Sequence, residues 1–426
     1  LENKINVENL IKKIFLKDFN GKIVFVNHHL SHASSAYYPS HFDKACIVTI
    51  DAIGEWSSTS IGIGNKNKIE ILQEQKYPNS LGFLYSAFTE YLGFKVDSDE
   101  YKVMGLAPYG NPSYVEKIKD SLVEIYDDGS FKLNTKYFNF MTGNTMINKN
   151  FEYLFGIPKR DKNAILEDYH YNFASSIQKI CEEIFLKIIK YAIKITGCDN
   201  VVLAGGVALN CVANGRLINE KIVKDLWIQP AAGDAGGALG AALLTNYEIL
   251  NNERKVNYPD SQKGSLLGPE YSNDEIKRAL DTLSFNYKYI EDFEKICDYT
   301  VEKLINGKVV GFFQERMEFG PRALGSRSII ADPRINEMQK TLNLKIKFRE
   351  SFRPFAPSIL NDKVSEWFEL NEESPYMLLV AEVNKSKQIV MTEENKKLFG
   401  IDKLNVKRSS IPAVTHVDYS ARIQTV

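Results

Sequence analysis

The sequence predicts an α/β protein built from more than one domain, and three patterns support this. Short apolar runs, of which residues 45–50 and 201–204 are the clearest, have the length and β-branched content of buried strands. Each is followed by an aspartate or a glycine pair, residues that suit a ligand-binding turn at a strand end. Stretches with helical apolar periodicity alternate with these runs, and 426 residues exceed the size of one ordinary domain.

Composition narrows the class of protein. Apolar residues make up 44% of the chain, which is normal for a protein with large cores, and the net charge of −1 comes without a basic stripe. Nucleic acid is therefore disfavoured as the main partner. The five cysteines form no CxxC pair and no apolar run reaches membrane-spanning length, so we expect a cytoplasmic enzyme with no membrane partner.

The first candidate strand leads into a histidine pair. Residues 22–26 predict a buried strand, and Asn27 is a favourable N-cap for a helix after it. His28 and His32 are four positions apart and would share one face of that helix. Histidines also cap helices and fill cores, so the spacing alone is equally compatible with a structural role.

The next strand, residues 45–50, delivers Asp51 to the same edge of the predicted sheet. Two neutral imidazoles with hard carboxylates suit a divalent transition metal that keeps positions open for substrate. Fe²⁺, Mn²⁺, Co²⁺ and Zn²⁺ all fit such ligands. We expect His29 to face away from the pair or to contact the phosphates of a ligand.

Alternating patterns continue the sheet. Residues 58–64 and 68–75 predict two strands, and the turn residues 65–67 between them predict a hairpin. The order of strand, aspartate turn, strand, turn and strand resembles the phosphate-handling meander of the actin-like ATPase fold.

Helices and connecting segments follow. Residues 80–94 and 169–196 have helical periodicity, and a serine stands at the start of the first. Glycine and proline punctuate residues 104–110 and predict a loop. Residues 115–160 are polar and aromatic, and we interpret them as an insertion near the site where an acceptor substrate would bind.

Two glycine-rich turns follow buried strands. Gly205 and Gly206 would let backbone amides approach a ligand closely, and a helix N-terminus comes next. Asp234, with Gly236 and Gly237, repeats this arrangement before a helix of small residues. Either cluster alone is more typical of a tight turn, but both occur in one chain with the histidine pair.

The C-terminal third carries a cationic segment. Residues 251–265 are polar and predict a linker, and residues 309–313 predict a strand beyond it. The cations that follow alternate with glycine, serine and aromatic residues, which favours a partly buried anion site over a solvated basic face. They are Arg316, Arg322, Arg327, Lys345, Lys347, Arg349 and Arg353.

Together these stretches resemble the O-carbamoyltransferase family, which includes nodulation protein U and the cephamycin and tobramycin carbamoyltransferases. The similarity extends in the family's order over nearly the whole chain, so it is far more specific than any single motif. The matching stretches are NHHLSHASSAYYPS (27–40), TIDAIGEW (49–56), SLGFLYSAFTEYLGF (80–94), EYKVMGLAPYG (100–110), LAGGVALNCVANG (203–215), GDAGGALGAAL (233–243), ERMEFGPRALGSRSIIADPR (315–334), KFRESFRPFAPSIL (347–360) and HVDYSARIQTV (416–426).

The resemblance implies a fold and a reaction. It implies an actin-like domain of the ribonuclease-H-like ATPase class at residues 1–255 and a YrdC-like α/β domain at 266–426. The family's usual N-terminal segment has no counterpart in residues 1–26, and its continuation past the RIQTV motif is absent, so we expect both domains to be partial. The YrdC-like domain would form carbamoyl adenylate from carbamoyl phosphate and ATP, which binds with Mg²⁺. The actin-like domain would pass the carbamoyl group to a hydroxyl of a sugar, antibiotic or polysaccharide acceptor.

The resemblance also implies roles for individual residues. The implied metal ligands are His28, His32, Asp51 and Asp234, with Fe²⁺ as the expected metal. Arg322 and Arg327 are expected to hold carbamoyl phosphate or the ATP phosphates, and His28 or His29 is the expected base toward the acceptor hydroxyl. The expected nucleotide-binding residues are Gly205, Gly206, Asn210, Gly236, Gly237, Lys347, Arg349 and Arg353.

Other functions stay open from the sequence. A tRNA threonylcarbamoyl-transfer activity is disfavoured by the near-neutral charge and the C-terminal basic cleft. A non-catalytic ATP- or metal-binding module is favoured by the absent N-terminal segment. A sugar kinase or chaperone-like ATPase is disfavoured by the histidine pair, because such enzymes bind Mg²⁺ through phosphates and carboxylates. A homodimer is compatible with the sequence.

Overall fold

The computed structural model describes residues 7–14 and 21–426. The strands are β1 (Lys44–Gly54), β2 (Ser57–Asn65), β3 (Lys68–Lys76), β4 (Val123–Ile125), β5 (Phe131–Leu133), β6 (Asn200–Ala204), β7 (Asp225–Ile228), β8 (Val310–Phe313), β9 (Arg327–Ile330), β10 (Ser358–Ile359), β11 (Leu379–Glu382) and β12 (Ser420–Thr425). The α-helices are α1 (Val7–Ile14), α2 (His28–Tyr37), α3 (Leu81–Tyr91), α4 (Glu100–Leu106), α5 (Val115–Ser121), α6 (Lys149–Phe155), α7 (Asp168–Thr196), α8 (Cys211–Asn219), α9 (Asp234–Leu244), α10 (Asn273–Thr282), α11 (Phe293–Ile305), α12 (Met338–Thr341), α13 (Val364–Trp367) and α14 (Glu393–Lys396). This is the mixed α/β class that the sequence predicts.

The main sheet has the strand order β3-β2-β1-β6-β7. Strands β1, β2 and β3 form an antiparallel meander, and β6 and β7 continue the sheet in parallel with β1. The predicted hairpin is confirmed, with Lys66 and Asn67 as its two-residue turn between the paired residues Asn65 and Lys68. Lys66 has a φ of 54°, as a tight hairpin turn requires.

Strand β1 is buried on both faces. Cys46, Val48 and Ile50 contribute to the larger core, which includes α3 and α7. Ala45 and Ile47 point to the opposite face and pack with α2. Because successive side chains alternate across a strand, a continuous apolar run is what a central strand between two helical layers needs.

Helices α2 and α9 pack closely against each other. A Cβ atom at Gly240 of α9 would overlap the carbonyl oxygen of Ser31 in α2. This contact holds the start of α9 beside the start of α2, near the carboxyl ends of β1 and β6. The predicted helices at 80–94 and 169–196 are confirmed as α3 and α7, and the Ser80 side chain caps α3 by accepting from the Phe83 N–H at 3.0 Å.

Two local predictions are wrong. Residues 22–26 form no strand, and the Phe25 side chain is 74% exposed, because no described strand pairs with this segment and a strand needs ladder partners. Residues 104–106 continue α4, since the buried Val103 and Leu106 anchor that helix to the core, and a short 3₁₀ turn follows at Ala107–Tyr109.

The predicted linker carries a buried cation. Arg254 is 8% exposed, and its guanidinium donates to the carbonyl oxygens of Tyr37, Tyr38, Ser40 and Phe42 at 2.8–3.1 Å. These carbonyls belong to the last residue of α2 and to the turn that follows it, where the backbone leaves the helical hydrogen-bond pattern. The segment therefore clamps α2 rather than passing freely over the surface.

The C-terminal part forms smaller sheets. Strands β8 and β9 make an antiparallel pair, and β10, β12 and β11 make a three-stranded sheet in that order. Strand β11 lies against α8, where a Cβ atom at Gly215 would overlap the Val380 carbonyl oxygen. None of the helices formed by residues 7–14 and 21–426 combines the length and apolar character needed to cross a bilayer.

Candidate metal centre and anion site

The histidine pair lies on the first turns of α2. The Nε2 atoms of His28 and His32 are 3.0 Å apart. Asn27 occupies the N-cap position, but its side chain does not cap, and the Glu55 carboxylate instead accepts from the His28 N–H at 3.2 Å. A Cβ atom at Gly54 would overlap the His28 ring, so only glycine leaves room for the imidazole at that position.

Two carboxylates complete the cluster. Asp51 Oδ2 lies 3.0 Å from His28 Nε2 and 2.8 Å from His32 Nε2. Asp234 is the first residue of α9, and its Oδ1 lies 3.7 Å and 3.6 Å from the same two nitrogens. One ligand atom from each side chain lies within 4.8 Å of all the others. We call these four residues the His–Asp cluster.

The His–Asp cluster fits a metal ion. Bonds of about 2.1 Å to nitrogen and oxygen place neighbouring ligands of a tetrahedral or octahedral ion about 3.0–3.4 Å apart, which lies within the observed spread of contacts. Asp51 Oδ1 accepts from the N–H groups of Ala52 at 2.8 Å and Gly206 at 3.2 Å, which directs Oδ2 toward the imidazoles. The Asp234 side chain is 83% exposed, so the cluster is open on that side.

The two aspartates determine the protonation of His32, and the imidazoles determine that of Asp51. Burial opposes a charged imidazole, but the hydrogen bonds to Asp234 and Asp51 outweigh burial and raise the pKa of His32 to about 9. Burial likewise opposes ionisation of Asp51, yet His28 and His32 hold the pKa of its carboxyl well below the usual range. A cation between these residues would replace the proton on His32. His32 Nδ1 is buried and has no hydrogen-bond partner among the described residues, unlike the second nitrogen of most metal-bound histidines.

His29 lies apart from the His–Asp cluster. The ring is buried, with Nδ1 2.6 Å from Thr49 Oγ1 and Nε2 2.9 Å from the Ser57 carbonyl oxygen. Burial lowers the pKa of His29 to about 4. The ring is therefore neutral, and both of its nitrogens form hydrogen bonds that link α2 to β1 and β2.

The glycine turns support the cluster through the backbone. Gly205 has a φ of 88°, and a Cβ there would overlap the Ile50 carbonyl oxygen. A Cβ at Gly236 would overlap the Ala231 carbonyl oxygen, whereas a Cβ at Gly237 would lie 3.9 Å from the Ser31 Cβ, an ordinary contact distance. Asn210 caps α8 by accepting from the Ala213 N–H at 3.1 Å.

Cations of the C-terminal part converge on one surface. Burial and then Arg353 lower the pKa of Arg349 to about 10, and burial, Arg349 and Arg353 lower the pKa of Lys347. Burial and then Arg322 lower the pKa of Arg422 to about 10, with smaller effects from Arg349 and Arg353. These cations therefore lie close enough to repel one another. We call Arg322, Lys347, Arg349, Arg353 and Arg422 the cationic patch.

The cationic patch has donors to spare. The Nε atoms of Arg322 and Arg422 are buried, and neither has a hydrogen-bond partner within residues 7–14 and 21–426. Arg349 stacks on Phe355 at 4.7 Å and Arg353 on Tyr101 at 4.7 Å, which holds both guanidinium planes in place. The carboxylate of Glu350 is shared between Arg353, at 3.6 Å, and Lys102, at 2.8 Å. This arrangement suits an anion with several oxygens.

The loop that carries Arg322 is fixed from both sides. The buried Glu318 carboxylate accepts from the N–H groups of Leu324, Ser326 and Arg327 at 2.8–3.2 Å. A Cβ at Gly320 would lie 3.2 Å from the Pro230 carbonyl oxygen, in the segment that leads into Asp234. The patch therefore borders the part of the chain that carries the His–Asp cluster.

Arg327 and Arg316 have other contacts. The Arg327 guanidinium donates to the carbonyl oxygens of Gln314, Glu315 and Ser326, and it lies 3.5 Å from the Phe313 ring centre. Arg316 is half exposed and lies 3.7 Å from the carboxylate of Glu270. The structure thus brings Arg322 together with Lys347, Arg349 and Arg353, and gives Arg327 a bracing role between β8 and β9.

Sequence reasoning missed Arg422. This residue lies in β12, between the buried Ala421 and Ile423, and its side chain reaches the patch from a distant part of the sequence. A lone cation within an apolar strand is a signal that could have found it, because such a charge needs a partner.

Comparisons with known proteins place the chain among carbamoyltransferases. Residues 2–243 match the family model described as the carbamoyltransferase N-terminus, and residues 301–426 match the carbamoyltransferase C-terminus. The chain is 51% identical over 434 residues to an uncharacterized protein of Synechocystis sp., covering 100% of this chain and 70% of that protein. It is 35% identical over 430 residues to nodulation protein NolNO of Sinorhizobium fredii, covering 100% of this chain and 58% of that protein.

Among solved structures, the chain is similar to the crystal structure of full-length HypF in the phosphate- and nucleotide-bound form. The identity is 16%, the TM-score is 0.34, and the match covers 57% of this chain and 45% of that chain. This similarity is too low to carry an inference about the fold.

Proposed function

The chain belongs to the carbamoyltransferase family of enzymes, and from that membership we propose that it transfers a carbamoyl group from carbamoyl phosphate to a hydroxyl of a sugar or small-molecule acceptor. The observation that carries the proposal is the His–Asp cluster, which lies within the part matched by the N-terminal family model. The chain spans 58% of the length of NolNO, so carbamoyl transfer by a full-length family member is here a proposal for this chain.

We assign two units to two half-reactions. Residues 1–255 form the actin-like unit, which is supported by the sheet order β3-β2-β1-β6-β7 with β2 antiparallel to its neighbours. Residues 266–426 form the YrdC-like unit, which is supported by the cationic patch in the part that matches the C-terminal family model.

The cationic patch is the proposed site of activation. Water cleaves carbamoyl phosphate to carbamate and phosphate, and a carbamate oxygen then attacks the α-phosphorus of ATP. The bond to the β-phosphoryl group breaks, pyrophosphate leaves, and carbamoyl adenylate forms. The Nε donors of Arg322 and Arg422, which bond to none of the described residues, would orient these oxygens, and Lys347 and Arg349 would offset their charge. Mg²⁺ accompanies ATP in this step.

The His–Asp cluster is the proposed site of transfer. His28, His32, Asp51 and Asp234 would hold one divalent metal, Fe²⁺ in the first instance, which supplies Lewis-acid polarisation of the bound carbamoyl group when present. The acceptor oxygen attacks the carbamoyl carbon, AMP leaves, and a phosphate oxygen of AMP takes the proton. An imidazole that holds a metal through Nε2 keeps its proton on Nδ1, so His28 cannot be ligand and base together.

His29 has a positioning role in this scheme. Its ring is neutral at pH 7, and both nitrogens bond to β1 and β2 residues, so it orients the first turn of α2 rather than the acceptor. Gly206 has a similar role through Asp51.

Carbamoyl transfer is tested with carbon-labelled carbamoyl phosphate, ATP and a set of hydroxyl-bearing sugars. We expect label in the sugar fraction with wild-type protein and at least a hundredfold less with Asp51→Asn. Asp225→Asn is the matched control, because Asp225 forms another histidine–aspartate pair with His41 at 3.0 Å, away from the cluster. Equal transfer by Asp51→Asn and Asp225→Asn would show that the His–Asp cluster takes no part in the reaction.

A further inference from the structure

Arg408 is a buried cation that forms no ion pair with the residues that the structure describes. The side chain is 3% exposed, and Nη1 donates to the Val406 carbonyl oxygen at 2.8 Å. Its Nε and Nη2 atoms are buried and have no partner among the described residues. A guanidinium removed from water keeps its charge, so its free donors require a partner.

Arg254 shows what a satisfied buried arginine looks like in the same molecule. It is 8% exposed, and Nε, Nη1 and Nη2 all donate to carbonyl oxygens at the end of α2. Arg408 has a comparable depth of burial with a single carbonyl contact. The difference indicates that a group outside the described residues completes the environment of Arg408.

A cavity of about 30 Å³ lies beside Arg408. His416 lines it too, and the Nε2 atom of His416 is buried without a partner. The volume exceeds the ~10–15 Å³ that one water needs, and it leaves room for a small polyatomic ion. The other polar side chains around it include Tyr109, Gln339 and Thr415. We call this space the Arg408 pocket.

The charges around the Arg408 pocket favour an anion. Lys403 lies close enough to Arg408 for the two cations to oppose each other, and burial and then Arg408 lower the pKa of Lys403. An acidic group of this region is Asp418, whose Oδ1 lies 3.5 Å from Nδ1 of His416 and also accepts from the hydroxyl and N–H groups of Ser420. Its charge favours the charged forms of Arg408 and Lys403, but it bonds to the Nδ1 side of His416 and not to the Nε and Nη2 donors of Arg408.

We propose that the Arg408 pocket binds one small oxyanion, such as inorganic phosphate, as a second anion site separate from the cationic patch. The oxyanion would accept from Nε and Nη2 of Arg408 and pair with Nε2 of His416. An imidazolium would donate to it, and a neutral ring with its proton on Nδ1 would accept from a protonated phosphate oxygen.

The Arg408 pocket adjoins the cationic patch. Phe355 lines it and also carries the stacked guanidinium of Arg349. Gln339, another lining residue, donates to the carbonyl oxygens of Ser351 and Arg353. Tyr109 lines it from the part of the chain before residue 243, and its hydroxyl donates to the Phe352 carbonyl oxygen at 3.2 Å. An oxyanion in the pocket would thus stiffen the segment that holds Arg349 and Arg353.

The test is equilibrium dialysis of the full chain with ³²P-labelled phosphate at constant ionic strength. We expect wild-type protein to bind two phosphates, and Arg408→Gln and Arg322→Gln to bind one each. The double variant would bind none, and the control Arg334→Gln, which changes an exposed arginine paired with Asp332, would bind two. Two phosphates bound by Arg322→Gln, with only one bound by Arg408→Gln, would count against the patch as an anion site and leave the pocket proposal standing.

Several outcomes would overturn the pocket. One is a folded Arg408→Gln protein, judged by circular dichroism and melting temperature, that binds as many phosphates as wild type. Another is wild-type protein that binds a single phosphate lost in Arg322→Gln, which would mean that water alone fills the pocket. Equal displacement of the second phosphate by chloride and by acetate would exclude selectivity for oxyanions. If Arg408→Gln does not fold, His416→Gln must weaken the second site at least tenfold, and unchanged affinity refutes the proposal.

Discussion

Replacing Asp51 with asparagine should weaken metal binding about a hundredfold. Asp51 Oδ2 contacts both imidazoles, at 2.8 Å and 3.0 Å, and it is one of two carboxylates in the His–Asp cluster. Contacts to a charged group are worth about 1.5–3 kcal/mol each, so removing the charge while keeping the shape should cost about 3 kcal/mol. At 1.4 kcal/mol for each factor of ten, the affinity falls by about two orders of magnitude.

The assay is a competition titration of metal-free protein with Co²⁺ and a chelator of known affinity. Asparagine can still accept from Ala52 and Gly206 through Oδ1, so the variant should fold like wild type. Asp225→Asn removes a carboxylate from the His41 pair and should leave Co²⁺ affinity unchanged. Equal affinities for Asp51→Asn and wild type would refute a metal site at this cluster.

Three further predictions concern stability. Arg254→Met removes the guanidinium donors of the Tyr38, Ser40 and Phe42 carbonyl groups, and we expect it to lower the free energy of unfolding in urea by about 3–5 kcal/mol. The exposed Arg334→Met should change this free energy by less than about 0.5 kcal/mol, and equal effects of the two variants would refute the clamp. Gly240→Ala pushes α9 off α2 and should cost about 1–3 kcal/mol by thermal melting, and an unchanged melting temperature would contradict the close contact. Burial lowers the pKa of His170 from the ordinary 6.5 to about 4. Between these two pH values the unfolded chain protonates His170 and the folded protein does not, so the free energy of unfolding should fall by about 3 kcal/mol as the pH drops from 6.5 to 4, with no effect of His170 above pH 6.5. His170→Gln should therefore reduce the loss of stability between pH 6.5 and 4, and an identical pH profile would contradict this account.

Local signals predicted the elements whose partners lie nearby in the sequence. The hairpin of β2 and β3 follows from alternation and a two-residue turn, and the start of α3 follows from Ser80. The spacing of His28 and His32 predicted their shared face, and the end of β1 placed Asp51 beside them. In these cases the chain needs only its own periodicity and one neighbouring strand.

Contacts between distant residues could not be predicted in the same way. Residues 22–26 have the composition of a strand, but strand formation depends on a pairing edge that the described residues do not offer. Arg254, predicted as part of a linker, clamps α2, and Arg422 joins a patch whose other cations come from residues 322–353. Arg327 has the sequence context of an anion ligand, yet its guanidinium is committed to backbone carbonyls.

The measurement that tests the proposed activity most directly is pyrophosphate release from ATP with and without carbamoyl phosphate, on protein of known metal content. We expect release only when carbamoyl phosphate is present, with loss in Arg322→Gln and Arg422→Gln and normal release in Arg334→Gln. Folded, metal-loaded protein that releases no pyrophosphate, or that releases it equally without carbamoyl phosphate, would contradict the proposal that the cationic patch activates the carbamoyl group.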